Sequence, residues 1–421
     1  MKYMEHMKYR KYTLILAFFL RLDTPIFSQI TSTSFLATAK TKATVLRQTD
    51  KINVLKSTTY RLPFLEKVSF QTETDRFELQ RQQYQSRASF NGWEEMKQEK
   101  KWKRANINAE EAEQNVLFQD VLLDRYAALI EYRHAVNALN LYRQINVVFL
   151  DKRDVLQKMA KLSVNFDLED LIKAEDNVYQ NQQKMAEKEG IIKNIEQFSQ
   201  LLFTAKDTFQ LDTSVWIPLS KMRVLVANLP QTASKNPLLT RQEAKINVVQ
   251  AAFDVEKAST KKIVDYAQIK YGARPTKELQ TELSLGLGFV VPYRGSAKIA
   301  LNKLAIKQLE EKNKLTDLQE TLDLQLFSAQ QQLDNTFKAH DLASQQIAES
   351  RTFYSLDYYK RIEGTSPIML LRMQELILLR QSRLIDLEHD ALVQYIKLLN
   401  WTGKLAASPL QNYLSSNLEG F

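Results

Sequence analysis

Residues 283–296 read Leu-Ser-Leu-Gly-Leu-Gly-Phe-Val-Val-Pro-Tyr-Arg-Gly-Ser. Leu283, Leu285, Leu287, Phe289 and Val291 alternate with Ser284, Gly286, Gly288 and Val290, the period of two that gives a β-strand one apolar face. A different pattern follows. From about Ser296 to Arg361, Leu315, Leu318, Leu322, Leu326, Ala329, Leu333, Phe337 and Ile347 recur mostly in steps of three and four, and neither glycine nor proline occurs between Gly295 and Gly364. At 1.5 Å per residue, a helix of roughly 65 residues is ~100 Å long, more than a compact globular domain can contain.

Working outward, the strand's partner is predicted at about Tyr266 to Ala273, with the turn at Arg274-Pro275-Thr276-Lys277. Beyond the long helix, Glu363-Gly364-Thr365-Ser366-Pro367 is predicted to break the chain. Gly364 can take the left-handed conformation that ends a helix, and Pro367 suits the first turn of a returning helix from about Ile368 to Thr402.

The same order occurs earlier. A more polar strand pair, Lys67 to Glu73 and Phe77 to Phe90, turns at Thr74-Asp75-Arg76 and leads into a long helix predicted from about Trp93 to Lys161. Its seam is read at Val116, Leu123, Ala127, Ile130, Ala138, Leu141, Ile145 and Val148, with Asp120 and His134 filling the pattern. Ser163-Val164-Asn165-Phe166 then breaks the chain before a returning helix from about Leu168 to Phe203. The strand-to-helix junctions at Asn91 and Tyr293 lie 202 residues apart, and the breaks at Asn165 and Gly364 lie 199 apart. This is an internal duplication.

The predicted organisation is a signal peptide (1–29), a first repeat (30–203), a connector carrying Pro218 and Pro230 (204–235), a second repeat (236–405) and a C-terminal tail (406–421). Lys8, Arg10 and Lys11, the apolar run from Leu14 to Leu20 and the Phe27-Ser28-Gln29 stretch have the layout of a secretory signal. That run is shorter than the ~20 residues of a membrane-spanning helix.

Glycine and proline number nine each in 421 residues, about 2% apiece against a usual roughly 7% and 5%, so few turns are made. Without cysteine the chain has no disulfide, thiolate metal site, cysteine nucleophile or lipidated N-terminal cysteine. The formal charge of +9 comes from Lys and Arg interleaved with Asp and Glu along helical stretches, which reads as solvated helix faces and not as a nucleic-acid surface. No phosphate-binding loop, nucleophile elbow or dinucleotide fingerprint occurs, and neither an enzymatic activity nor a cofactor is expected. The four histidines, at positions 6, 134, 340 and 389, are read as packed or hydrogen-bonded residues, with no His-x-x-x-His or Glu-x-x-His pair expected to suit a metal.

In its order and spacing the chain resembles the TolC-like outer-membrane efflux family. The resemblance rests on Asn236-Pro237 opening the second half, Glu256 to Lys262 leading into strands, Leu283 through Pro292, and Gly364-Thr365, with Leu62-Pro63 and Asp170-Leu171 to Ala174 in the first half. It implies a mainly α fold with a small β part: duplicated long helical hairpins form a trimeric α-barrel, and four strands per chain contribute to a twelve-stranded transmembrane β-barrel. It further implies a homotrimer in the outer membrane of a Gram-negative bacterium, in contact with outer-membrane lipid and extending far into the periplasm. There it would serve as the exit duct for an inner-membrane transporter and a periplasmic adaptor, or membrane fusion protein.

The same resemblance puts the periplasmic gate and adaptor contact at Asp167, Asp170, Gly364, Thr365, Ser366, Leu370 and Met373. Leu370 and Met373 fall where the family often carries acidic residues, leaving Asp167 and Asp170 to supply negative charge. Carboxylates there also suit the positive end of a helix dipole. A soluble periplasmic coiled-coil scaffold or adaptor is the competing reading, favoured by the polar first strand pair.

Overall fold

The computed structural model describes residues 30–58, 64–74, 82–162, 166–203, 216–272, 283–289, 294–350, 355–356, 358–362 and 364–421. The signal segment, the strand residues 77–81 and 290–291, the turn residues 75–76 and 274–277, the break at 163–165, Glu363 and the connector's first part (204–215) lie outside them.

In order, the elements are α1 (Ser32–Ala37), α2 (Ala43–Ser57), β1 (Leu65–Thr74), β2 (Gln82–Phe90), α3 (Trp93–Leu162), α4 (Leu168–Phe203), α5 (Leu219–Ala227), α6 (Pro237–Ser259), β3 (Val264–Gly272), β4 (Leu283–Phe289), α7 (Arg294–Ala348) and α8 (Pro367–Trp401). The chain is therefore mainly helical with one small antiparallel sheet, in the order β1-β2-β3-β4. At 70 residues α3 is ~105 Å long, and α7, at 55, is ~80 Å. Each half runs helix, two strands, long helix, returning helix.

The two halves repeat an interaction as well as an order. Gln48 on α2 donates through Nε2 to the Glu110 carbonyl (3.0 Å) and carboxylate (2.7 Å) on α3. Gln242 on α6 donates to the carbonyl and carboxylate of Glu311 on α7 at the same two distances. In each half one amide thus fixes the short helix to the first third of the long one.

Two expectations need correction. Among the seam residues read on α3, Val116, Ile130, Ala138, Leu141, Ile145 and Val148 are buried, but Leu123 is half-buried and Ala127 exposed, while Leu122, Tyr126, Leu129, Tyr132 and Leu139 are buried instead. The reason is that α3 packs against α2, α4, α6 and α8 together, so it buries a broad face and not one stripe. The second long helix ends at Ala348, not near Arg361. Its apolar period had already run out at Ile347, and the absence of glycine and proline beyond it is not by itself a helix-forming signal.

The main core lies where the two halves meet. Phe35 and Leu36 of α1, Leu122, Tyr126 and Leu129 of α3, Met222 of α5, Leu326 and Leu333 of α7, and Tyr395, Leu398 and Leu399 of α8 form one buried cluster with Leu405, after α8, and Leu414 of the tail. Full burial of each such side chain contributes about 1.5–3 kcal/mol. Tyr126 fastens the tail to α3: its hydroxyl donates to the Gln411 carbonyl (2.8 Å) and accepts from the Tyr413 amide (3.2 Å). Tyr126→Phe leaves both groups without that partner, and chemical denaturation should register a loss of about 1–3 kcal/mol.

Candidate functional site

The register of the sheet sorts its side chains into two unlike faces. Residues paired across all four strands form three rows: Val68, Ala88, Ala267 and Leu287; then Phe70, Ser86, Ile269 and Leu285; then Thr72, Tyr84, Tyr271 and Leu283. Beyond a register shift in each hairpin, Leu65 pairs with Phe90 and Val264 with Phe289. None of these residues is charged, and only Ser86 and Thr72 are polar and non-aromatic. They are also open to the surroundings, with Phe70 81% and Leu285 79% exposed. From Phe90 to Tyr84 is ~20 Å along β2.

The opposite face carries Lys67, Ser69, Gln71 and Glu73 on β1, Gln83, Gln85 and Arg87 on β2, and Gln268 and Lys270 on β3. Gln85 and Arg87 both donate to Oε1 of Gln268 (2.8 and 3.2 Å), and the Arg87 guanidinium lies 4.0 Å from the Tyr266 ring centroid. Space for this layer comes from β4. A Cβ on Gly286 would come within 2.8 Å of Gln268, and one on Gly288 within 2.2 Å of Tyr266. Among the described and paired residues of the first strand pair, the charges Lys67, Glu73 and Arg87 therefore lie on the polar face, the shared register having assigned them there.

At the far end of the helices, the residues singled out from sequence occupy the starts of α4 and α8. Asp167 is the N-cap of α4, its Oδ1 accepting from the Glu169 amide at 2.9 Å. Asp170 is not a free charge but pairs with Arg372 of α8, Nη2 to Oδ2, at 3.3 Å. Gly364 has φ of +89°, Ser366 is the N-cap of α8, and Pro367 occupies its first turn. Thr365 donates its hydroxyl to the Ile362 carbonyl at 3.0 Å.

Ser366 and Met373 come together in a cleft of about 550 Å³ that Tyr359, Ile368, Met369 and Arg372 also line. Leu370 is half-buried one turn into α8. A second ion pair, Lys152 of α3 with Glu375 of α8 at 2.6 Å, ties the long helix to the returning one, and both side chains are largely buried.

The comparisons bear on this arrangement. No family model matches the chain, and no curated protein does. Among solved structures, CusC, whose crystal structures concern transmembrane channel formation, aligns with a TM-score of 0.65 at 13% identity over 90% of this chain and 93% of its own. The open-state outer membrane channel MtrE of Neisseria gonorrhoeae aligns at 0.65, with 11% identity over 92% and 90%. The Vibrio cholerae outer membrane protein VceC aligns at 0.60, with 12% identity over 88% and 95%. This chain has the TolC-like channel fold. At such low identity the likeness extends to the fold, and the TolC-like reading of individual residues rests on their own chemistry.

Sequence reasoning missed several partners. Arg372 and Lys152 had no signal beyond charge, because their carboxylates lie 202 and 223 residues away. Two further pairs were legible. Glu131-Tyr132-Arg133-His134 is a Glu-x-x-His sequence and Asp386-Leu387-Glu388-His389 its aspartate counterpart, so the expectation that no such pair exists is corrected. α3 and α8 set the two face to face, with imidazole centroids 4.3 Å apart. The hydrogen bond between Glu131 and His389 is the leading cause that keeps Glu131 below its ordinary carboxylate value and His389 above the ordinary imidazole value.

The left-handed backbone at Gly364 carries its own prediction. Among the described residues, no neighbouring atom lies within 4 Å of where a Cβ would stand, so Gly364→Ala meets no steric obstacle beyond the backbone. Its φ alone should cost about 1–2 kcal/mol. The expected outcome is faster hydrogen exchange in the first turns of α8, with α3 and α6 unchanged.

Proposed function

We propose that the protein is the channel subunit of an outer-membrane exit duct in a Gram-negative bacterium. It conducts passively, and efflux or secretion through it is driven by an inner-membrane transporter joined by a periplasmic adaptor. The two-faced sheet carries this reading. Three uncharged rows with tyrosines at one end, and the phenylalanines of the Leu65–Phe90 and Val264–Phe289 pairs at the other, suit a lipid band with aromatic borders, and the Lys, Glu, Arg and Gln face suits a water-filled lumen.

The edges of the sheet call for assembly. β1 and β4 each have one unpaired side, and in hydrocarbon every unsatisfied backbone group costs several kcal/mol. Because β4 runs antiparallel to β1, β4 of one copy can pair with β1 of the next without breaking the alternation. Three copies close twelve strands, an even count as in other such barrels. The long helices then continue the duct on the periplasmic side, and exposed apolar residues of α7 such as Ile299, Ile306 and Leu309 are available to neighbouring copies.

In this reading the starts of α4 and α8 form the periplasmic end. Asp170 and Arg372 latch the two returning helices together, Leu370 and Met373 line the narrow part, and Gly364, Thr365 and Ser366 meet the adaptor. Asp167 acts chiefly as a helix cap. Catalysis has no part in the proposal. The polar strand pair that favoured a soluble scaffold is accounted for in part by its register, since Lys67, Glu73 and Arg87 share the lumenal face.

Three experiments test the reading. Purified protein should remain with membranes through a high-salt wash and give discrete conductance steps in a planar bilayer; release as a soluble monomer without conductance would overturn it. Leu285→Arg, on the uncharged face, should destabilise the folded barrel by about 2–4 kcal/mol in bilayer refolding, whereas Ser284→Arg, on the opposite face, should leave assembly intact and change the conductance. Arg372→Ala should increase the open fraction of the single-channel record.

A further inference from the structure

We propose that Glu131, His134 and His389 form a binding site for one divalent transition-metal ion of the zinc class, which clamps the long helix α3 to the returning helix α8. The proposal stands on side-chain geometry in the helical region and does not depend on the sheet being in a membrane.

Spacing comes first. Residues three apart share a helix face, so α3 presents Glu131 beside His134, and α8 presents Asp386 beside His389. Donor atoms of Glu131, His134 and His389 all lie within 4.8 Å of one another. Nε2 of His389 is 3.2 Å from Oε2 of Glu131. A tetrahedral ion with bonds of ~2.0–2.1 Å sets its ligands about 3.3 Å apart, so the pair is already near ligating separation.

The surrounding carboxylates match what a metal-bound imidazole requires. Nε2 of His134 is 2.9 Å from Oδ1 of Asp386, and Nδ1 of His389 is 3.4 Å from Oδ1 of Asp390. A histidine ligand characteristically gives its second nitrogen to such a carboxylate, which fixes its tautomer and raises its basicity. For His134 that leaves Nδ1, which is buried and has no hydrogen-bond partner. A buried nitrogen without a partner is costly, and a metal bond would satisfy it.

Position favours a clamp. The cluster is a polar layer between two apolar ones, with Ile130 and Leu392 on one side and Leu141, Leu378 and Ile385 on the other. His134 and His389 are 11% and 21% exposed, and Glu131, at 38%, faces the route by which an ion would enter. Opposing charges are few at this layer: Lys188 of α4 acts on Glu131, and Arg133 is engaged by Glu388 at 3.8 Å. Two imidazoles with a carboxylate select zinc, iron, cobalt, nickel or copper over magnesium and calcium, which prefer all-oxygen shells.

The test uses the full-length protein, purified in detergent and stripped with a chelator. Calorimetric titration with Zn²⁺ should give one ion per chain and raise the melting temperature, and Co²⁺ should give visible d–d absorption. His389→Gln and Glu131→Gln should weaken Zn²⁺ binding by at least ~100-fold, and Asp386→Asn, which removes only an outer carboxylate, by about 10–100-fold. His340→Gln, on α7, should bind as the parent does. Circular dichroism of each metal-free variant separates lost binding from lost folding, and Asp386→Asn keeps the shape of the side chain if the others fail to fold. Absence of saturable Zn²⁺ binding by the parent protein, or equal affinity in parent, His389→Gln and Asp386→Asn, would overturn the assignment.

Discussion

The hydrogen-bonded register between β2 and β3 is the constraint on which the rest depends. These strands come from different halves of the chain, and pairing Tyr84 with Tyr271 and Ala88 with Ala267 commits both hairpins to one inside and one outside. A slip of one residue would turn Arg87 and Gln85 onto the face of Leu285 and Phe70. The strands lead within a few residues into α3 and α7, so the same pairing also sets where both long helices begin. A two-faced sheet and a set of long helices are thereby one structure and not two domains joined by a linker.

The helices are held by repeated small devices more than by one continuous seam. Near the sheet, Gln48 and Gln242 each bind a glutamate's carbonyl and carboxylate, which fixes rotation as well as distance. In the middle, residues of the C-terminal tail, the connector and helices α1, α2, α3, α5, α7 and α8 share a single apolar cluster. At the far end two ion pairs also join the helices, Lys152 with Glu375 and Asp170 with Arg372. The second of these is exposed on both sides, so it contributes little to stability and can exchange partners at low cost.

Between centre and ends lies the layer of Glu131, His134, Asp386 and His389. Its polar groups interrupt two apolar clusters along the contact of α3 with α8, at a place where leucine would pack at no electrostatic cost. Such a layer fixes the axial register of two long helices, which apolar side chains alone specify poorly because one turn resembles the next.

Much of this was written in the chain. The period of two at 283–289, the helical period that persists to Ile347, the left-handed turn at Gly364 and the spacing of about 200 residues between matched junctions are local or repetitive signals, and they determined the elements and their order. The end of α7 was not legible, because lack of helix breakers is not a helix-forming signal. Nor was the face on which each polar strand residue lies: alternation within one strand leaves the choice of inside and outside open until a partner of known face is paired with it. The same holds for Asp170, whose charge reads as free until α8 brings Arg372 beside it from 202 residues away. Sequence determined what each segment becomes, since that depends on neighbours along the chain. Only the tertiary structure decided which charges are paired, which face is polar and which histidines meet, since these depend on neighbours in space.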